Sequence, residues 1–203
     1  MDDEFSRYEV YTTAGSVYCY RDSGVLKNRF GLRDGAKLKL VETDLTAIRQ
    51  NDLLLHPIEG RFSARQLCRI HRYLFGDIYF FAGHYRREDI MKGATRFLSW
   101  KEIPPRLKVL LSKLREENCL TGCCFEEIID RGAYYFAELN YIHPFREGNG
   151  RTIREFMRLL FDRNGYRVLW NAVEPEHLLA VMEESVYDIT PLKGVLSRCL
   201  ERK

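Results

Sequence analysis

Ile142-His143-Pro144-Phe145-Arg146-Glu147-Gly148-Asn149-Gly150-Arg151-Thr152-Ile153-Arg154 is the stretch on which the reading of this chain turns. Pro144 disfavours helical conformation at His143, so a preceding helix ends at Ile142. Gly148, Asn149 and Gly150 all tolerate positive φ, and successive backbone N–H groups can converge there into a concave nest. A new helix opens directly afterwards, and its unpaired N–H groups and its dipole favour an anion at that end. Arg151 and Arg154 sit three apart in the first turn, where cations oppose the dipole by roughly 0.3–1 kcal/mol each. That placement makes sense if a polyphosphate fills the space, because arginine binds phosphate oxygens bidentately. Glu147 adds a carboxylate beside the nest, suited to a Mg²⁺ ion that takes further ligands from phosphate. His143 can take a proton near neutral pH. Phe145 has no polar chemistry and reads as an anchor. Taken singly, each feature also suits an ordinary Gly-Asn-Gly turn with solvated arginines; together they describe a nucleotide site with a metal and a histidine base.

Outward from this loop the chain is helical. The preceding helix spans about Phe125 to Ile142, with Ile128, Ile129, Phe136 and Leu139 inside. The following one begins near Gly150, buries Ile153, Phe156, Met157, Leu160 and Phe161, and stops at Asn164-Gly165. Further upstream, Leu38, Val41, Leu45 and Ile48 predict the buried face of a first helix. Ser63 and Gln66 form a capping-box pair for a second, with Leu67, Ile70, Leu74 and Ile78 inside and Gly83 at its end. Ser99 and Glu102 repeat the capping signature before Ile103, Leu107, Leu110, Leu111 and Leu114. Pro175 and Pro191 sit in the first turns of two last helices. Arg87 to Leu98, with Gly93 between Ile90 and Phe97, fits a short hairpin. The prediction is an all-α domain with one small β-hairpin. Residues 1–37, polar and turn-rich, form an N-terminal extension that Tyr8, Tyr11, Tyr18 and Tyr20 hold against a core domain of residues 38–203.

Composition limits the function. With 203 residues, 45% hydrophobic and 30% charged, the chain supports one good core and is not a disordered segment. Its 32 Lys+Arg against 29 Asp+Glu leave a net charge of only +3, which argues against a dedicated nucleic-acid binder. It contains no run of about 18 apolar residues to span a membrane, and Met1 to Glu9 carries no apolar secretory core. The 6 cysteines are scattered, without paired metal-ligand spacing, and read as reduced core thiols rather than disulfides or structural zinc ligands.

The segment His143 to Arg154 resembles the signature of the Fic family, H-x-F-x-[DE]-G-N-G-R-x-x-R, at every specified position. Ile78-Tyr79-Phe80-Phe81-Ala82-Gly83-His84-Tyr85-Arg86 and Ile90 to Phe97 are similar to the family's helix end and flap hairpin, so the resemblance runs from about Leu38 to Asp188. It implies a protein adenylyltransferase that moves AMP from ATP to a Tyr, Thr or Ser hydroxyl of a target protein. His143 would be the general base and Glu147 the Mg²⁺ ligand. Gly148, Asn149 and Gly150 would stabilise charge on the α-phosphate, while Arg151 and Arg154 would bind the β- and γ-phosphates. The flap, through Lys92, Gly93 and Phe97, would dock the target as an added strand. Residues of the Leu178 to Tyr187 helix are candidates for the adenine pocket. The full G-N-G-R and the acidic ligand separate this chain from the phosphorylating Doc branch.

The resemblance also bears on control. Many members are held off by an inhibitory helix whose glutamate faces the second motif arginine, here Arg154. One formal match to that motif exists, Ser112 to Asn118, but it lies inside the core and reads as the charged end of a scaffold helix. The expectation is therefore a separate antitoxin chain, and a bacterial toxin or effector that is cytoplasmic unless translocated into a host cell. Transfer of another group, such as UMP or phosphocholine, and an inactive Fic-fold binding module are the alternatives.

Overall fold

Asp34 opens the first helix: its carboxylate accepts from the N–H groups of Ala36 and Lys37 at 2.9 and 3.2 Å, the role of an N-cap. The computed structural model describes residues 15–21, 23–92 and 95–203. Within them the order is α1 (Gly35–Leu55), α2 (Ala64–Phe75), β1 (Met91–Lys92), β2 (Thr95–Arg96), α3 (Ile103–Glu116), α4 (Phe125–Ile142), α5 (Asn149–Arg163), β3 (Tyr166–Val168), α6 (Pro175–Glu184), α7 (Thr190–Cys199) and β4 (Leu200–Arg202). The helical class and the hairpin after α2 are as the sequence predicts. Gly93 lies outside the described residues, as do Tyr8 and Tyr11.

The centre of the molecule is α5, which packs on α2 and on α4. Its Ile153, Phe156, Met157, Leu160 and Phe161 are buried, as their spacing predicts. On α4, a Cβ at Gly132 would stand 2.6 Å from the Phe161 ring, so the two helices meet as closely as they do only because that side chain is absent. Residues 15–21 and 23–34 lie as loop segments on this body. Cys19 and Leu26 pair as an isolated antiparallel bridge and join the core, and Tyr18 meets the edge of Phe81 at 5.2 Å.

Four details depart from the sequence reading. The buried face of α1 is Leu38, Glu42, Thr46 and Leu53; Ile48 is 62% exposed. Two polar residues displace the apolar stripe because both engage a buried arginine of α5. The second helix ends at Phe75 rather than at Gly83. Gly76, a poor helix residue, starts a series of turns, and Ile78 and Tyr79 reach the core from those turns. Ser99 and Glu102 form no capping box: Trp100–Glu102 is a 3₁₀ turn without a side-chain cap. The helix starts at Ile103 with prolines in its first turn, where a missing N–H costs nothing. Finally, β3 and β4 pair antiparallel, with Tyr166 opposite Arg202 and Val168 opposite Leu200. Three-residue strands carry no readable period.

Candidate active site

The junction between α4 and α5 holds its polar groups away from solvent. His143 closes α4: its N–H bonds to the Leu139 carbonyl at 3.1 Å, and its backbone is left-handed, with φ 45° and ψ 62°. Its Nδ1 lies 3.0 Å from the Asn140 carbonyl. A carbonyl only accepts, so Nδ1 carries a proton, and in the neutral ring that tautomer places the lone pair on Nε2. The Phe97 ring stacks on the imidazole at 3.8 Å and 16°. Phe97 is 6% exposed; the residue read from sequence as a docking contact is placed against the base.

Two residues that the sequence reading passed over shape the rest of the loop. His71 of α2 stacks on Phe145 at 3.8 Å. Its Nδ1 accepts from the Gly83 N–H at 2.7 Å, so its Nε2–H donates to the Glu147 carbonyl at 2.9 Å. Burial pushes its pKa down to about 3, and the ring is neutral at pH 7. Arg146, unremarkable in the motif, is 2% exposed and pairs with Glu88 at 2.8 Å. Asn149 works locally: its Oδ1 accepts from the Phe145 N–H and its Nδ2 donates to the Phe145 carbonyl, both at 2.8 Å. The sequence reading aimed this amide at a phosphate; the structure turns it inward to close the loop. Gly148, at φ +77°, faces the Phe75 ring, which a Cβ would meet at 2.2 Å.

A cavity opens beside this loop, at the N-terminus of α5. Glu147, Gly148, Gly150, Arg151 and Arg154 line it together with Phe136, Leu178, Leu179 and Met182. Gly148 provides no side-chain cap and the first turn of α5 holds no acid, so the opening N–H groups are left for an anion. Leu178, Leu179 and Met182 on α6 form an apolar wall, while Tyr187, the far end of the predicted adenine helix, lies past α6 and is 78% exposed. The Glu147 carboxylate is 3% exposed, accepts from the Gly148 N–H at 2.9 Å and stands 3.9 Å from Arg151.

The two motif arginines differ. Arg151 is buried and pairs closely with Glu42; it donates to Thr46 Oγ1 at 3.0 Å and lies over the Phe75 ring at 4.7 Å. Burial works against its charge, but Glu42 and Glu147 outweigh burial and hold its pKa above the usual arginine value. Glu42 also accepts from the Tyr79 hydroxyl. Arg154, one turn further on, is partly buried on the cavity wall. Glu42 and Thr46 were legible in principle as a polar pair at i, i+4 on an otherwise apolar helix face. On the flap, Lys92 pairs with Glu183 of α6 at 3.0 Å. Glu117, the glutamate of the formal inhibitory match, pairs with Arg131 at 2.9 Å.

Among the described residues no cluster of three His, Cys, Asp or Glu could hold a metal by itself. Glu147, a single carboxylate on the cavity wall, is a donor of the kind a hard cation takes alongside phosphate oxygens.

Comparison with known proteins gives one direction. A model of the Fic/DOC family matches residues 61–161. The protein adenylyltransferase VbhT of Bartonella schoenbuchensis is 36% identical over 188 residues, which is 93% of this chain and 39% of that protein. The Salmonella typhimurium protein named "Probable protein adenylyltransferase Fic" is 31% identical over 90% of this chain and 91% of its own length. The Fic domain of a Bartonella quintana effector, solved with bound ADP, superposes with a TM-score of 0.85 at 28% identity, covering 92% of this chain and 95% of that one.

Proposed function

The chain belongs to the Fic/DOC family, and on that footing we propose that it is a protein adenylyltransferase, moving AMP from ATP to a Tyr, Thr or Ser hydroxyl of a target protein. One observation carries the reading: His143, its Nδ1 donating to the Asn140 carbonyl, stands on the same short loop as a cavity that opens at a helix N-terminus. Nε2 takes the proton of the target hydroxyl, the freed oxygen forms a bond to the α-phosphorus, and the bond from that phosphorus to pyrophosphate breaks. The Gly148–Gly150 backbone faces the developing charge. Arg154 binds the outer phosphates; Arg151, already paired with Glu42, contributes as a buried positive field and holds α5 to α1. Glu147 is the residue to hold Mg²⁺, which when bound neutralises phosphate charge. The flap lays the target alongside as a strand.

The flap's chemistry and the control of the site follow from the same reading. Glu117, at the C-terminal end of α3, is engaged by Arg131 of α4, which supports placing the inhibitory glutamate for Arg154 on a separate antitoxin chain. Several structural relatives are named VirB-translocated effectors, and we place this chain among bacterial toxins or effectors. No helix of the described residues is long and apolar enough to cross a membrane.

The test is incubation of the protein and its His143→Ala variant with α-labelled or γ-labelled ATP in a bacterial extract. His143-dependent label from the α position alone is the expected result. Label from γ alone means phosphate transfer, and no His143-dependent label with any nucleotide would sink the enzymatic reading.

A further inference from the structure

Arg86 has a fully buried side chain, yet the carboxylate paired with it among the described residues, Asp89, lies 3.8 Å away and is 42% exposed. Its hydrogen bonds go to backbone carbonyls. Nε donates to His143 at 2.8 Å, Nη2 to Ile142 at 3.3 Å and also to Leu98, and Nη1 to Glu88 at 2.8 Å. Its own backbone N–H donates to Pro144 at 2.9 Å. Three successive carbonyls of the catalytic loop, 142 to 144, thus end on one residue. Glu88 and Leu98 bracket the β1–β2 hairpin, so the same guanidinium holds both roots of the flap.

Stability alone gives a poor reason for this arrangement. A buried cation whose counter-charge stands off and half in solvent loses hydration that carbonyl dipoles only partly replace. It also sits beside a non-glycine residue in left-handed conformation, the kind of local strain that persists only where its surroundings over-determine it. Burial pulls the Arg86 pKa down to about 10, so the group remains a cation at pH 7.

We propose that Arg86 is a positioning residue that fixes the flap, and with it the docked hydroxyl, against the His143 imidazole. The proposal rests on reading His143 as the base and the flap as the docking strand. The geometry needs a planar fork of five donors; lysine offers three on one atom and cannot reach carbonyls on both sides.

Arg86→Lys keeps the charge and the stem and tests this directly. His143-dependent transfer from α-labelled ATP should fall by about 100-fold, the scale set by a misplacement of about 1 Å. Affinity for a non-hydrolysable ATP analogue should stay within about twofold, because Arg86 does not line the cavity. Amide exchange at Phe97 and Leu98 should quicken by about tenfold while α7 stays protected. In Arg86→Ala, added guanidinium should restore part of the transfer. A rate within about threefold of wild type overturns the proposal. So does an equal loss of nucleotide affinity and of protection throughout the core, or failure of both variants to fold, since each makes the residue merely structural. If wild type itself transfers no AMP, the functional reading fails, while the exchange of the flap amides still decides whether the clamp exists.

Discussion

The catalytic loop and the flap face each other across one imidazole, and they are built in opposite ways. From His143 to Asn149 every residue is buried, and the polar side chains are tied to fixed partners such as Asn140, Glu88, Gly148 and Phe145. The flap is a pair of two-residue strands with Met91 and Arg96 exposed, tied to the body by Lys92, Phe97 and the Arg86 clamp. On the proposed function, the difference separates two tasks. Chemistry needs groups held to a fraction of an ångström, whereas docking needs an open strand edge. Damage to the loop should therefore appear as lost stability, and damage to the flap as lost transfer from a stable protein.

The sharpest way to break this contrast is Glu42→Gln. It leaves Arg151 buried without its close counter-charge, and unfolding in urea should show a loss of about 3 kcal/mol. A loss below about 1 kcal/mol would mean that the loop does not lean on α1. Acid comes next. The folded state depresses the His71 pKa from 6.5 to about 3, so the unfolded chain takes up the proton first as pH falls. That stabilisation is complete above about pH 6.5 and is lost progressively between there and about pH 3, by about 2 kcal/mol at pH 5. Urea midpoints at pH 7.5 and 5 should show this slope in wild type and less of it in His71→Gln. Phe97→Leu sits on the border between the regions. It removes the stack on His143, with an expected loss of about 1 kcal/mol in thermal unfolding and a several-fold drop in kcat at unchanged nucleotide affinity. Lys92→Ala should have the smallest effect on stability, below about 1 kcal/mol in the same assay, because Glu183 is half exposed. Its signature would be a raised KM for target, and an unchanged KM would remove Lys92 from the docking surface.

The same contrast explains what could be read from sequence. The loop's shape was legible because it demands particular residue types at fixed spacing: a proline after His143, small residues at the nest, a carboxylate beside it. The helices on either side were legible because α4 and α5 bury regular apolar faces. What escaped reading depends on partners distant in sequence. Glu42 stands more than a hundred residues from Arg151, so the polar pair it makes with Thr46 names no partner. His71 hides within the apolar stripe of α2, where it is buried between Leu67 and Leu74. Arg86 reads only as the last residue of the stretch similar to the family's helix end, and its four carbonyl acceptors belong to segments that only tertiary folding assembles. Phe97 reads as a strand residue, because its stacking partner arrives from α4.

The left-handed backbone at His143 also decides how a silenced version should be made. Alanine removes the imidazole but is strained at φ 45°, by roughly 1 kcal/mol or more, so an inactive His143→Ala protein mixes a missing base with a disturbed junction. Asparagine enters this conformation readily, carries an amide that can donate where Nδ1 does, and has no basic nitrogen. His143→Asn is the better decoy for capturing bound targets, since it keeps the shape of the loop while leaving the hydroxyl proton where it is.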